Sequence, residues 1–293
     1  MKAQKTLLLV INPIAGGTDK KPIIEAFKNH ASLQSCTPLV YETTGDNDGE
    51  HIVEIIDTKN PEIILISGGD GTIREVADAL KEKSVKIALL PSGSANGLAS
   101  NFNIPENLED QLKIAFGNTF KDLDILDING YTCLHIADLG VNAKLIENYE
   151  KSDLRGKLGY FIQAFPTLIN NDYPFKVKIT ANGETHEDEG VLVAVANANK
   201  FGTGANINPT GKMDDGLFEV LIFKNFSVKG ILETFYDDAV LNPDFVKVLS
   251  CKEATISCEK PIAFQIDGEF IGEQTLIEAK MTSFQLQIAV PLI

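Results

Sequence analysis

The stretch EIILISGGDGTIREV, residues 62–76, decides the fold. Ile63 to Ile66 is a continuous apolar run, the pattern of a strand buried on both faces. It stops at Ser67. Gly68, Gly69 and Gly71 then form a turn whose backbone can come close to a ligand. From Thr72, which reads as the helix cap, to Lys83, the residues Ile73, Val76, Ala77 and Leu80 recur at helical spacing. A buried strand turning through glycines into a helix sets N–H groups and the helix's positive end at the strand's carboxyl edge, which suits a phosphate. Asp70 is out of place there. Two like charges about 4 Å apart repel by roughly 4 kcal/mol at an effective dielectric near 20. A carboxylate beside phosphates makes sense where Mg²⁺ bridges them. The plain alternative is that Asp70 orders a tight turn.

The same alternation runs through the first 120 or so residues. Strands are expected at Thr6–Ile11, Pro38–Thr43 and Val85–Leu90, and helices from about Pro22 and over Gly49–Asp57. Strand alternating with helix predicts a parallel sheet covered on both faces. Two more strands end in glycine loops, INPIAGG (Ile11 to Gly17) and LPSGSANGLA (Leu90 to Ala99). In a parallel sheet these loops share the edge where ligands bind. No G-K-[ST] of a Walker A loop and no G-x-G-x-x-G is present.

After about Asp124 short alternating runs dominate, separated by Gly, Asn and Asp turns. Ala181-Asn182-Gly183 is a strong hairpin signal, and Ile266-Asp267-Gly268-Glu269 reads as a second tight turn. The expectation is an α/β N-terminal domain with a parallel sheet (1–124), followed by an antiparallel β-sandwich domain (125–293), with the active site in the interdomain cleft. Helical segments near 152–170 and 227–240 interrupt the second domain.

With 293 residues, 44% apolar and 23% charged, the chain has the composition of a globular protein of about two domains. Its formal charge of −15 argues against nucleic acid as principal partner, since phosphate backbones need clustered Lys and Arg. The cysteines Cys36, Cys133, Cys251 and Cys258 form no C-x-x-C pair, as expected of buried thiols in a reducing cytosol. The opening MKAQKTLLLVINP has too short an apolar run for a signal peptide, and Leu158–Ile169 is too short and interrupted to span a bilayer. A cytoplasmic location follows as the expectation.

Taken in order, NPIAGG, GGDGT and PSGSANGLA resemble the loops of the diacylglycerol kinase catalytic-domain family, which includes bacterial lipid kinases and sphingosine kinases. The resemblance continues in DILDING from Asp124, LGVNA from Leu139, KMDDGLFEV from Lys212 and DGE from Asp267. It implies an ATP-dependent lipid kinase. Asn12, Gly16, Gly68, Gly69, Asp70, Gly71, Thr72, Gly93 and Ser94 would surround the ATP phosphates and ribose, and Thr43 or Thr44 would touch the nucleotide. Asp70 and Asp124 would join an acidic network holding Mg²⁺. Asp267 would take the proton of the lipid hydroxyl, with Glu269 beside it. A structural Mg²⁺ or Ca²⁺ would sit on the Lys212 and Leu217 carbonyls and the Asp215 carboxylate. The resemblance also implies transient contact with a membrane surface.

Each assignment has a plainer counterpart. Asp267 can open an ordinary Asp-Gly hairpin, Asp214-Asp215-Gly216 can be an acidic turn, and Asp124 a strand-end residue. Lys144, Lys151, Arg155 and Lys157 suit either anionic headgroups or a solvated face. The sheet edge of the second domain leaves room for a homodimer. Arg74 stands where the family commonly has Asn, and Gly97 and Asn142 where many members have Asp. These departures keep two other readings in play: an NAD kinase-like enzyme on a soluble substrate, and a nucleotide- or lipid-binding regulator without turnover.

Overall fold

The apolar runs of the first ninety residues become four strands, joined by helices whose apolar faces cover them. They are β1 (Thr6–Ile11), α1 (Lys21–Leu33), β2 (Thr37–Glu42), α2 (Asp48–Lys59), β3 (Ile63–Gly68), α3 (Asp70–Ala79) and β4 (Lys86–Pro91). Two short helices follow, α4 (Gly97–Asn101) and α5 (Leu108–Ala115). The computed structural model describes residues 5–81, 83, 85–93, 96–150, 173–201, 205–225 and 242–292. The helical segments expected near 152–170 and 227–240, with Lys151, Arg155 and Lys157, lie outside these residues, as does Ser94.

The four strands are parallel in the order β2-β1-β3-β4. All six positions of β3 are buried, as its unbroken apolar run requires. Pro22 starts α1, where its missing N–H costs nothing, and Phe27 and Ala31 face the core. Burying a side chain such as Phe27, which is fully covered, is worth about 1.5–3 kcal/mol. Asn107 caps α5, its side chain accepting the Asp110 N–H at 3.2 Å.

The second half contains β5 (Phe120–Ile128), β6 (Tyr131–Cys133), β7 (Ile136–Gly140), α6 (Val141–Glu150), β8 (Phe175–Ala181), β9 (Glu184–Gly190) and β10 (Leu192–Ala196). The short strands β11 (Lys200–Phe201) and β12 (Ala205–Asn206) form a separate pair. Last come β13 (Phe218–Phe223), β14 (Val246–Cys251), β15 (Glu253–Ile266) and β16 (Glu269–Ala289). The order β14-β13-β10-β7-β15 is antiparallel throughout. β15 changes register between Ser257 and Ile262, so its first half pairs β8 and its end pairs β7. Strict alternation in β8, FKVKITA, puts Phe175, Val177, Ile179 and Ala181 into an apolar core shared with β7, β10, β13 and β15. This is the antiparallel β-sandwich expected.

The chain divides into two compact units, Met1–Leu123 with Phe284–Ile293, and Asp124–Ser283. The return of the final ten residues to the first unit differs from a simple cut at 124. Gln287 and Ile288 pair in parallel with Lys86 and Ile87 of β4, and Leu286, Ile288 and Ala289 are fully buried.

Candidate active site

In the first unit the parallel register sets Ile11 beside Ser67 and Gly68 beside Pro91, so the loops after β1, β3 and β4 leave side by side. Backbone bonds extend the ladder past the strands: Asn12 N–H to Ser67 O at 2.8 Å, and Ser92 N–H to Gly68 O at 3.0 Å. Asn12 Nδ2 donates to Thr72 Oγ1 at 3.3 Å, while its Oδ1 accepts the Ile14 N–H at 3.1 Å. Ser67 and Ser92 hydroxyls meet at 3.2 Å.

The glycines are there because the loops touch. A Cβ on Gly93 would lie 2.5 Å from Gly69 Cα, and one on Gly16 would lie 2.3 Å from Ser92 O. A Cβ on Gly68 would strike the Thr72 side chain. Gly71 has open space around it and stays exposed. The structure thus gathers Asn12, Gly16, Gly68, Gly69, Asp70, Thr72 and Gly93 at one edge of the sheet.

One expectation changes in detail. Thr72 is not the cap of α3. Gly69, in extended conformation at φ −98° and ψ −173°, holds that place, and Thr72 lies buried in the first turn. The helix begins at Asp70 because glycine makes the bend out of β3 without a side chain to place. Asp70 then turns its carboxylate to the third loop, accepting the N–H of Gly97 at 2.8 Å and of Leu98 at 3.1 Å. Gly97 thus contributes a backbone donor.

Asp48 carries no role in the sequence reading, yet it shapes the loop after β2. Buried, it accepts the Thr44 and Gly45 N–H groups at 2.9 and 2.7 Å, the Thr44 hydroxyl at 3.1 Å and the Tyr41 hydroxyl at 2.6 Å. Burial pushes the Asp48 carboxyl up, and the Tyr41, Thr44 and Gly45 donors outweigh it, leaving it below its ordinary value. Burial and the Asp48 bond together raise the Tyr41 hydroxyl to about 12. The Thr44 hydroxyl is committed to Asp48 and to Asp46 O. Thr43 sits beside strand β1, its N–H on Ile11 O at 2.9 Å.

In the second unit Asp267 opens the turn between β15 and β16, with φ +50° followed by Gly268 at +87°. Its carboxylate faces a cradle of backbone donors: Leu134 at 2.9 Å, His135 at 2.9 Å and Ile136 at 3.1 Å. The Cys133 thiol lies 3.6 Å from Oδ1. Glu269 is exposed at the start of β16.

Asp124 is 2% exposed, with Oδ2 on the Gly216 N–H at 2.7 Å and its own N–H on Met213 O at 2.7 Å. It therefore holds the segment containing Lys212, Asp215 and Leu217. Within that segment Asp215 Oδ1 accepts the Leu217 N–H at 3.1 Å. Asn197, unremarked in the sequence reading, joins the two parts: Nδ2 donates to Asp124 O at 2.8 Å and to Leu134 O at 3.0 Å. Its Oδ1 is buried without a hydrogen-bond partner among the described residues. The Asp124 and Asp215 carboxylates are of the oxygen chemistry that suits a hard cation. Among the described residues, no three His, Cys, Asp or Glu side chains gather as a metal cluster. Lys144 is paired with Glu147 at 2.7 Å. No helix among the described residues is long and apolar enough to cross a membrane.

Comparison with known proteins agrees with this fold. The family described as diacylglycerol kinase catalytic domain matches residues 6–128. The family described as YegS C-terminal NAD kinase beta sandwich-like domain matches residues 136–289, more than half of the chain. The chain belongs to the family of the second description, and its first part matches the diacylglycerol kinase catalytic domain. It is accordingly a kinase of the lipid kinase type. Relatives from Salmonella heidelberg (strain SL476) and Salmonella schwarzengrund (strain CVM19633) both bear the name probable lipid kinase YegS. Each is 26% identical over 279 residues, covering 91% of this chain and 90% of the relative. A diacylglycerol kinase structure from Bacillus anthracis str. Sterne superposes with a TM-score of 0.75 at 20% identity, covering 99% of this chain and 98% of that one. At that identity the likeness speaks for the fold.

Proposed function

We propose that this kinase transfers the γ-phosphate of ATP to a hydroxyl of a lipid. The observation that carries the reading is the mutual contact of three glycine loops around Asp70, at the amino end of α3. Those loops bring N–H groups and a helix terminus to one place, as phosphate binding requires. Asn12, Gly16, Gly68, Gly69, Gly71, Thr72, Gly93 and Ser94 face the nucleotide in this reading. Thr43 rather than Thr44 joins them, because the Thr44 hydroxyl is already engaged.

Phosphoryl transfer passes through a loose transition state, so positioning and charge neutralisation do most of the work. Asp70 and Asp124 would hold Mg²⁺, which when bound neutralises charge on the transferred phosphate. Asp267 accepts the proton of the lipid hydroxyl, and the Leu134–Ile136 N–H groups fix its orientation. Glu269 stands next in the turn. Lys212, Asp215 and Leu217 supply oxygens for a structural Mg²⁺ or Ca²⁺. The acceptor reaches the enzyme from a membrane surface, visited transiently.

The test is transfer of radiolabelled γ-phosphate to diacylglycerol, phosphatidylglycerol, sphingosine, ceramide, total bacterial lipid extract and NAD, with Asp267→Asn run beside the wild type. A labelled lipid whose formation falls roughly 10²–10⁴-fold in Asp267→Asn is expected, the usual span for a general base. Label on NAD alone would transfer the chain to the soluble-substrate reading. Undiminished turnover in Asp267→Asn would remove Asp267 from the chemistry.

A further inference from the structure

Asp138 lies in β7, IADLG, a strand whose five positions are all buried. It is itself only 1% exposed. A carboxylate in such a place is costly unless hydrogen-bonded. Three donors meet it. Gln265 Nε2 at 2.5 Å and Asn142 Nδ2 at 2.7 Å converge on Oδ2, and the Ala143 N–H reaches Oδ1 at 3.0 Å. Ala143 is in the first turn of α6, so the carboxylate also caps that helix. Gln265 faces two ways. Its Oε1 accepts the Gly268 N–H at 2.7 Å, inside the turn that presents Asp267.

We propose that Asp138 is a positioning residue for Asp267, acting through the Gln265 amide, which fastens the 266–269 turn while Asp138 is ionised. The inference rests on the reading of Asp267 as the group that takes the acceptor's proton.

The argument is one of donors and acceptors. An amide nitrogen only donates and an amide oxygen only accepts. Ionised Asp138 only accepts, so it selects Nε2 and leaves Oε1 for Gly268. A protonated Asp138 has an O–H that needs an acceptor. Gln265 provides one by turning its amide over, which sets Nε2 against the Gly268 N–H. Two donors then face each other and the turn loses its bond. Burial pushes the Asp138 carboxyl up to about 7, against the pull of Gln265, Asn142 and Ala143. The two states therefore exchange near neutral pH. Other ionisable groups surround this region. The 134–136 segment brings His135, the turn brings Asp267, and α6 brings Lys144 and Glu147, paired with each other at 2.7 Å. The facing strand β10, Leu192–Ala196, brings none.

The test follows the Gly268 amide resonance of the ¹⁵N-labelled full chain through neutral pH, with kcat and KM measured alongside. In the wild type the Gly268 signal should move with a midpoint near 7, and kcat should fall on the acid side with the same midpoint. Asp138→Asn, which offers an N–H₂ at every pH, should abolish the Gly268 movement. It should lower kcat by roughly 10–100-fold, the scale of an ångström's misplacement, and leave the KM for ATP unchanged. A flat Gly268 signal in the wild type, as when Asn142 turns over instead, would overturn the proposal. So would a titration that persists in Asp138→Asn, which would belong to His135 or Asp267. Should Asp138→Asn not fold, Gln265→Glu forces two carboxyl groups to share a proton and must raise the midpoint; an unmoved midpoint is equally fatal. A wild type that labels no acceptor would defeat the reading of Asp267, while the Gly268 titration would still decide the coupling.

Discussion

Gly93→Ala is the sharpest perturbation the loops allow. A Cβ at 93 would stand 2.5 Å from Gly69 Cα and 3.0 Å from Gly69 N, both backbone atoms that no rotamer change can clear. Ordinary contact begins at 3.4 Å, so the two loops must part by 3.4 − 2.5 = 0.9 Å. Overpacking of this kind costs about 1–3 kcal/mol. A shift near 1 Å in groups that position a reacting phosphate costs roughly 10²-fold in turnover. Gly16→Ala should be at least as damaging, because its Cβ would lie 2.3 Å from Ser92 O and its φ is +62°. Gly69→Ala meets its nearest atom at 3.4 Å and should be milder. Gly71→Ala meets nothing within 4 Å and lies inside α3, so it should be neutral or more stable by up to about 1 kcal/mol. Urea unfolding and Mg-ATP calorimetry on the four variants give the ranking. Gly93→Ala unfolding and binding like the wild type, or Gly71→Ala losing as much stability in urea as Gly93→Ala, would refute the idea that backbone contact between loops selects these glycines.

Asp48→Asn should lower stability at pH 7 by about 1.5–3 kcal/mol, since it weakens charge-assisted bonds to Tyr41, Thr44 and Gly45. Because the folded carboxyl lies below its ordinary value, the stability it adds is present above about pH 4 and lost as pH falls further, so wild type and variant should converge in urea midpoint in acid. Asp138 has the opposite sign. Raised from 3.8 to about 7 in the fold, it favours the folded state below pH 3.8 and loses that contribution as pH rises towards 7. Relative to Asp138→Asn, the wild type should thus lose up to about 4 kcal/mol between pH 4 and 7 in urea unfolding, at about 1.4 kcal/mol per pH unit.

How much of this could be read from residues alone depends on which part of each residue does the work. Side-chain pattern shows the unbroken run of β3, the alternation of β8, and the Asn-Gly and Asp-Gly turns. These are local and survive in one dimension. The return of Leu286, Ile288 and Ala289 to β4 is not local, and an apolar run does not say which strand it will join. The cradle around Asp267 is built of main-chain N–H groups from Leu134, His135 and Ile136, which any three residues would possess. Its sequence signal is nil. Asp138 did leave a trace, as one carboxylate in the otherwise apolar strand IADLG, and its meaning appears only when Gln265 is placed opposite by the register of β7 and β15.

On the proposed reading, the same use of main-chain donors would let a chain of net charge −15 hold a polyanionic nucleotide. Residues 11–17, 66–72 and 90–99 contain no Lys or Arg, and their one formal charge is that of Asp70. N–H dipoles and the end of α3 supply partial positive charge, but they do not cancel a carboxylate at the centre of the loops. At about 4 Å and an effective dielectric near 20, that carboxylate repels a unit of phosphate charge by roughly 4 kcal/mol. A divalent cation reverses the sign of this contact. Chelation should therefore weaken ATP binding by about 10²–10³-fold, the equivalent of roughly 3–4 kcal/mol. Added KCl should act far less, since these three stretches carry no Lys or Arg to be screened. Asp70→Asn should bind metal-free ATP more tightly than the wild type while losing the gain that Mg²⁺ brings. Calorimetry with and without chelator separates the two contributions. Equal ATP affinity for the wild type in both conditions would mean that Asp70 does no more than order the third loop through Gly97 and Leu98.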